Sequence, residues 1–364
     1  MSRVKLNTIK FNEMLTRALK GAGNNKLIPL TNMIGITVKD NTLKLHTTDM
    51  TNHLIIKQDN VDGDDFDITV NIDILSKLVP RLTSDNIILD IKDNFLNISA
   101  NGDYKIELPL DEDGDIITFP NVEYCDEDLY KDCEEYTIHS TDVDTILAAN
   151  RLALAGIDDP IYSNYYVGEK VVSTDRMTLC SYNKTLFNNL VVLLPPQLVE
   201  LLDIVTDDVI KVRFKDNVVL FKTDSVLVGG ILADEVEEYA IEPISQWLNS
   251  EFAYKCKVPK QALISALERV SLFIDTFDEG VINLVFDTDC IKIFSNKLTG
   301  NEVVKYYDKC STPGYSCLMD VNTFVSQIKS VSGDSVILEF GNDTCIKIND
   351  DDIIKVISTI NDEE

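Results

Sequence analysis

Histidine is scarce in this 364-residue chain, limited to His46, His53 and His139. There is no Gly-rich phosphate loop and no Gly-x-Ser-x-Gly elbow, so the usual signatures of nucleotide hydrolysis and serine-type acyl transfer are missing. The eight cysteines (Cys125, Cys133, Cys180, Cys256, Cys290, Cys310, Cys317, Cys345) form no CxxC pair and have no companion histidine at zinc spacing. They read as buried reduced thiols and not as metal ligands. No apolar run is long enough to span a bilayer, and the opening MSRVKLNTIKF lacks the apolar core of a signal peptide. These absences point to a soluble, cytoplasmic, non-enzymatic protein with no metal, no cofactor and no membrane partner.

What the chain has in excess is acid, with a net charge of -28. Taken alone this argues against nucleic acid, but net charge governs solubility and non-specific attraction, while a local basic surface can still bind phosphate. The apolar content of 45% is ample for buried cores.

One pattern is written three times. At 84–98 (SDNIILDIKDNFLNI) apolar Leu89 and Ile91 alternate with Asp90 and Lys92, and an Asp93-Asn94 turn leads to a second apolar run. The layout returns at 206–221 with Asp216-Asn217 and at 332–348 with Asn342-Asp343. Alternation marks a half-buried strand, and Asn and Asp tolerate the positive φ of tight hairpin turns, so each copy predicts a β-hairpin. Three hairpins, each about a third of the chain from the next, mark a tandem of three similar domains. The expected boundaries are 1–124, 125–246 and 247–364.

Helical periodicity precedes each hairpin. Over 7–22 Phe11, Met14, Leu15, Ala18, Leu19 and Ala22 form one apolar face, leaving Lys10, Glu13, Arg17 and Lys20 on the other. Lys26 follows in the loop. A second helix is predicted over 70–82 with Ile74, Leu75, Leu78 and Leu82 inward, Lys77 and Arg81 sharing a face, and Pro80 cutting it short. The second third offers helices at 141–155, with Arg151 among the few charges, and at 195–205. The last third offers them at 259–273 and 320–331, decorated by Lys260, Arg269 and Lys329. The fold class is α+β, with two helices per domain packed on antiparallel sheets.

The three-part layout, IPLTNMIG at 28–35, TTD and STD after a strand, FPN at 119–121 and LMDVNTFVSQI at 318–328 together resemble the bacterial DNA polymerase III β subunits, the sliding clamps, over essentially the whole length. The resemblance implies three DNA-clamp domains per chain and a head-to-tail homodimer closing a six-domain ring around duplex DNA. It also implies tethering of a DNA polymerase, a clamp loader as further partner, and no chemistry of the chain's own. Lys10, Arg17, Lys20, Lys26, Lys77, Arg81, Arg151, Lys260, Arg269 and Lys329 would then face the phosphate backbone without reading bases. By position, Ile106 and Leu108 on one copy and Leu272 and Phe273 on the other would form the dimer contact. Thr174, Leu179, Ile241, Val356, Ile357 and Ser358 would line a groove for partner peptides. The chain departs from the family at Arg176-Met177-Thr178, where Gly-His-Arg is usual, in the linker DEVEEYAI (234–241), and at its end, KVISTINDEE. These departures imply a divergent member, bacterial or phage-encoded. A repeat scaffold that binds only proteins is the alternative.

Overall fold

A computed structural model describes residues 2–23, 25, 27–274, 280–295, 299–312, 314–342 and 344–360. Seven α-helices lie among them: α1 Thr8–Ala18, α2 Ile72–Leu78, α3 Ser140–Ala149, α4 Pro196–Leu202, α5 Ile241–Leu248, α6 Lys260–Ser271 and α7 Val321–Lys329. The strands form four sheets in which every pairing between named strands is antiparallel.

Two compact units result. Unit 1 comprises Met1–Val143 and Gln197–Leu232, unit 2 Asp144–Pro196 and Ala233–Glu364. The middle third of the sequence therefore contributes to both. In unit 1 its strand Val226–Ile231 pairs with His53–Gln58, making one sheet of eight strands. In unit 2 its strand Thr178–Tyr182 pairs with Ile353–Ser358, making another.

The hairpins form as their turn chemistry requires. Asn86–Lys92 and Phe95–Ser99 are joined through Asp93 (φ 53°) and Asn94 (φ 62°), both in the left-handed region that a type I′ turn demands. Val209–Lys215 and Val218–Lys222 are joined through Asp216 (φ 52°). The third hairpin, Ser335–Asn342 with Cys345–Asp350, departs from the pattern: its register shifts between Glu339 and Asn342, where Gly341 takes φ 93°. That is a bulge that only glycine enters without cost. Asp343 of this turn lies outside the described residues.

The periodicity places the helix starts within two residues, overruns their ends, and misses the strand that comes before the first helix of each third. Each third opens with a strand ahead of its first helix: Ser2–Asn7, Glu135–His139 and Tyr254–Pro259. Each pairs with the first strand of its third's hairpin. α1 starts at Thr8 because the Asn7 side chain accepts the Lys10 amide at 3.0 Å, and it tightens into a 3-10 turn at Leu19–Gly21. α2 ends at Leu78, two residues before Pro80, as proline requires. Its inward face is Ile72 and Leu75. Ile74, expected inside, is 53% exposed. Arg151 falls on a 3-10 turn, Asn150–Ala153, beyond the end of α3. α5 has no counterpart among the six helices expected, because the acidic run before it reads as linker.

The FPN motif has a packing role. Phe119 lies over the ring of His46 (centroids 4.4 Å apart), and a Cβ on Gly35 would come within 2.5 Å of the Phe119 Cβ. His46 in turn shares a 2.9 Å hydrogen bond with His53, one ring donating and the other accepting. Burial lowers His46 to about 3, and the neighbouring His53 adds to the effect. Burial lowers His53 to about 4, against the pull of Asp49. Both rings are neutral when folded and titrate near 6.5 when unfolded, so their contribution is complete above about pH 6.5 and is lost as pH falls towards 4. We predict a thermal midpoint that declines across this window, and a double variant His46→Leu/His53→Leu in which the decline is shallower; parallel profiles would rule the pair out as the cause.

Candidate functional site

Unit 2 contains a cleft of about 290 Å³ between the ends of Thr178–Tyr182 and Ile353–Ser358 and one side of α5. Register builds its floor: Leu179 stands opposite Val356 in the ladder, and both pack with Tyr239, Ile244, Leu248 and Cys345. Met177 (57% exposed), Pro243 and Trp247 (45% exposed) form apolar walls, and Thr174, Thr178, Ser358, Tyr162 and Arg176 add polar atoms. A concave apolar surface with a few polar groups at its rim suits a short peptide with apolar anchors.

The rim is set by the loop at Thr174–Thr178. Thr174 Oγ1 accepts the Arg176 amide (2.9 Å) and donates to the Thr178 carbonyl (2.8 Å), while Asp175 Oδ1 accepts the amides of Met177 and Thr178 (2.9 and 2.5 Å). The Thr48–Asn52 loop of unit 1 repeats this network bond for bond. Both loops need a left-handed residue, Arg176 at φ 73° and Met50 at φ 87°. In unit 2 the cost is offset by contacts: the Arg176 guanidinium stacks 4.7 Å over Tyr162 and pairs with Asp159 at 2.8 Å. The amide of Tyr162, then that of Ile161, and the Arg176 charge hold Asp159 below its ordinary pKa. In the third copy Ser295 Oγ accepts the Gly300 amide at 3.0 Å, while Asn296 lies outside the described residues.

The helices carry the basic residues unequally. On α1 and the α2 region Lys10, Lys20, Lys77 and Arg81 are exposed, and Arg81 Nη1 donates to the Lys77 carbonyl. Arg17 is half-buried, its Nε and Nη2 enclosed without a hydrogen-bond partner among the described residues. In unit 2 the cations of α6 and α7 are engaged: Arg269 pairs with Glu302 (2.7 Å), Lys329 with Glu268 (2.8 Å), and Lys260 donates to the Val331 carbonyl. Lys26 lies outside the described residues.

Each of the four sheets is open and has two end strands, of which two bear on the expected dimer contact. Asp103–Glu107 ends the five-stranded sheet of unit 1, and Asn301–Lys305 ends the four-stranded sheet of unit 2. Beside the latter, Leu272 (80%), Phe273 (56%) and Val303 (55%) are exposed apolar side chains.

No family model matches the sequence, and no curated protein does. Among solved structures, the DNA polymerase sliding clamp of Bacillus subtilis superposes with a TM-score of 0.84 at 17% identity, over 99% of each chain. The β subunit of DNA polymerase from Streptococcus pyogenes gives 0.86 at 15% identity, over 98% of this chain and 99% of that one. The DNA polymerase III β subunit of Thermotoga maritima gives 0.81 at 17% identity, over 99% and 100%. This chain has the sliding-clamp fold.

Within that fold the residues expected to act divide clearly. Thr174, Leu179, Val356 and Ser358 line the cleft together. Ile357 does not: strand alternation turns it into the core cluster of Val258, Phe324 and Ile348. Ile241 packs partly buried against the residues beneath the cleft. Ile106 and Leu108 are 3% and 2% exposed, so their side chains serve the core, and the clamp-fold edge strand presents Asp103, Lys105 and Glu107 outward instead. Leu272 and Phe273 are on the surface. Apart from Ile241, the residues the sequence did not reveal are those of α5, above all Trp247, and Tyr162; an apolar trio at Pro243, Ile244 and Trp247 behind the acidic run was the only signal. Because Arg176 occupies a left-handed position, Arg176→Ala loses the ion pair and stack yet keeps the strained φ, whereas Arg176→Gly relieves it. Chemical denaturation should find the alanine variant about 1 kcal/mol less stable than the glycine variant; equal stabilities would show that φ is no burden here.

Proposed function

We propose that the chain is a sliding clamp, a processivity factor that encircles duplex DNA and tethers a DNA polymerase, with a clamp loader as a second partner and no chemistry of its own. The observation that carries this reading is the end-to-end correspondence of its architecture with DNA polymerase sliding clamps of three bacteria. In this reading each chain supplies three clamp domains, 1–124, 125–246 and 247–364, and two chains close a ring in the cytoplasm. Among the described residues no helix is long and apolar enough to cross a membrane.

Closure would use two of the sheet edges, one from each unit. A strand edge left open invites pairing, and heterologous contacts that close give rings. Asp103–Glu107 of one copy would pair with Asn301–Lys305 of the other, and Leu272 and Phe273 would be covered in the process. The DNA surface is the basic face of the helices, which meets phosphates and reads no bases, as a sliding contact requires. The cleft beside α5 takes linear peptides from the polymerase and other partners, its apolar floor supplying anchorage and Trp247 lying at its wall.

Assembled on a circular plasmid, the chain should stay with the DNA through gel filtration and be lost once the plasmid is linearised. Equal retention on both forms, or on neither, would favour the protein-only scaffold. Sedimentation should give twice the chain mass for the native protein and a folded monomer for Leu272→Ala/Phe273→Ala; a dimer that survives this change would place the contact elsewhere.

A further inference from the structure

Resting on the encirclement reading, we propose that the duplex is borne asymmetrically, by the α1–α2 surface of unit 1, and that the cations of α6 and α7 are structural. The argument begins with where positive charge is left over. Lys10 and Lys77 project from α1 and α2 and Lys20 from the 3-10 turn that ends α1, and no carboxylate lies within ion-pair distance of them among the described residues. α1 packs against the turn Val79–Arg81 that ends α2, so these charges belong to one surface. The enclosed, unpartnered Nε and Nη2 of Arg17 add a cation there with no internal anion. Two acids share the helices, Glu13 and Asp73, and Asp73 accepts a hydrogen bond from the Asn32 side chain at 3.1 Å.

The other helices have no such surplus. α3 and α4 contain Asp142, Asp144 and Glu200 and no lysine or arginine. On α6 and α7 every expected phosphate ligand already has a partner: Glu302 for Arg269, Glu268 for Lys329 and the Val331 carbonyl for Lys260. A phosphate meeting an ion pair must displace a carboxylate, and the exchange releases few counterions, whereas an unpaired lysine gives up its share in full. Within the clamp, DNA would therefore rest on α1 and α2 and pass α6 and α7 without lasting contact.

Two measurements on the full chain test this, with a linear duplex as probe. The slope of log affinity against log salt should fall by about 0.9 for each phosphate contact removed. For Lys10→Ala/Lys20→Ala/Lys77→Ala that is a fall of two to three, while Arg269→Ala/Lys329→Ala should leave the slope unchanged. Lysine acetylation of the native protein, which needs no variant, should show Lys10, Lys20 and Lys77 protected by the duplex and Lys329 modified at the same rate with and without it. Equal protection of Lys329, or an equal fall in slope for both variants, overturns the asymmetry and leaves encirclement standing. No protection of any lysine and no salt-dependent binding overturns the α1–α2 surface, while encirclement is judged separately by retention on the circular plasmid.

Discussion

Backbone amides and carbonyls at a strand edge must find partners, and the way this chain meets that demand decides the rest of its structure. The middle third divides its strands. Val226–Ile231 extends the sheet begun by the first third within unit 1, and Thr178–Tyr182 extends the sheet of the last third within unit 2. Each joint is a run of consecutive antiparallel pairs, Val226 to Gly229 against His53 to Ile56 and Thr178 to Tyr182 against Ile353 to Ile357. The compact units are therefore not the sequence repeats. Among the end strands that remain, Asp103–Glu107 and Asn301–Lys305 are where the proposed ring would close.

The cleft is a product of one of those joints. Leu179 and Val356 lie far apart in sequence and meet because the ladder sets them opposite each other. A slip of one residue would send both to the other face and bring Ile357 outward. α5 completes the wall by packing Ile244 and Leu248 onto the same residues, which leaves Trp247 at the surface. Arg176 holds its left-handed backbone conformation because Tyr162 and Asp159 supply contacts that offset the cost.

A chain with net charge -28 is an unusual candidate for holding a polyanion. The resolution is local. Acid accumulates in loops and strand ends such as residues 111–115 and 234–238, whereas α1 and α2 keep uncompensated lysines. In the proposed clamp, overall repulsion would discourage casual attachment to DNA, while the helix face would still offer contacts once the duplex is in place. In the proposed clamp, loose and sequence-blind phosphate contacts would suit movement along DNA.

By itself the sequence determined the hairpins, the apolar faces of the helices, the threefold recurrence and, through its motifs, the resemblance to sliding clamps. These are local properties, written in periods of two and 3.6 and in turn residues at fixed positions. Through that resemblance it grouped Thr174, Leu179, Ile241, Val356, Ile357 and Ser358, of which Thr174, Leu179, Val356 and Ser358 line one cleft. Only the tertiary structure decided which apolar residues face inward at an edge, burying Ile106 and Leu108 and exposing Ile74. It alone decided which cations are already paired, since Arg269 and Glu302 meet across elements, and that the middle third is shared between two units. Strand pairing and ion pairing between distant segments leave no periodic trace in either partner, so they become visible only when the chain is folded.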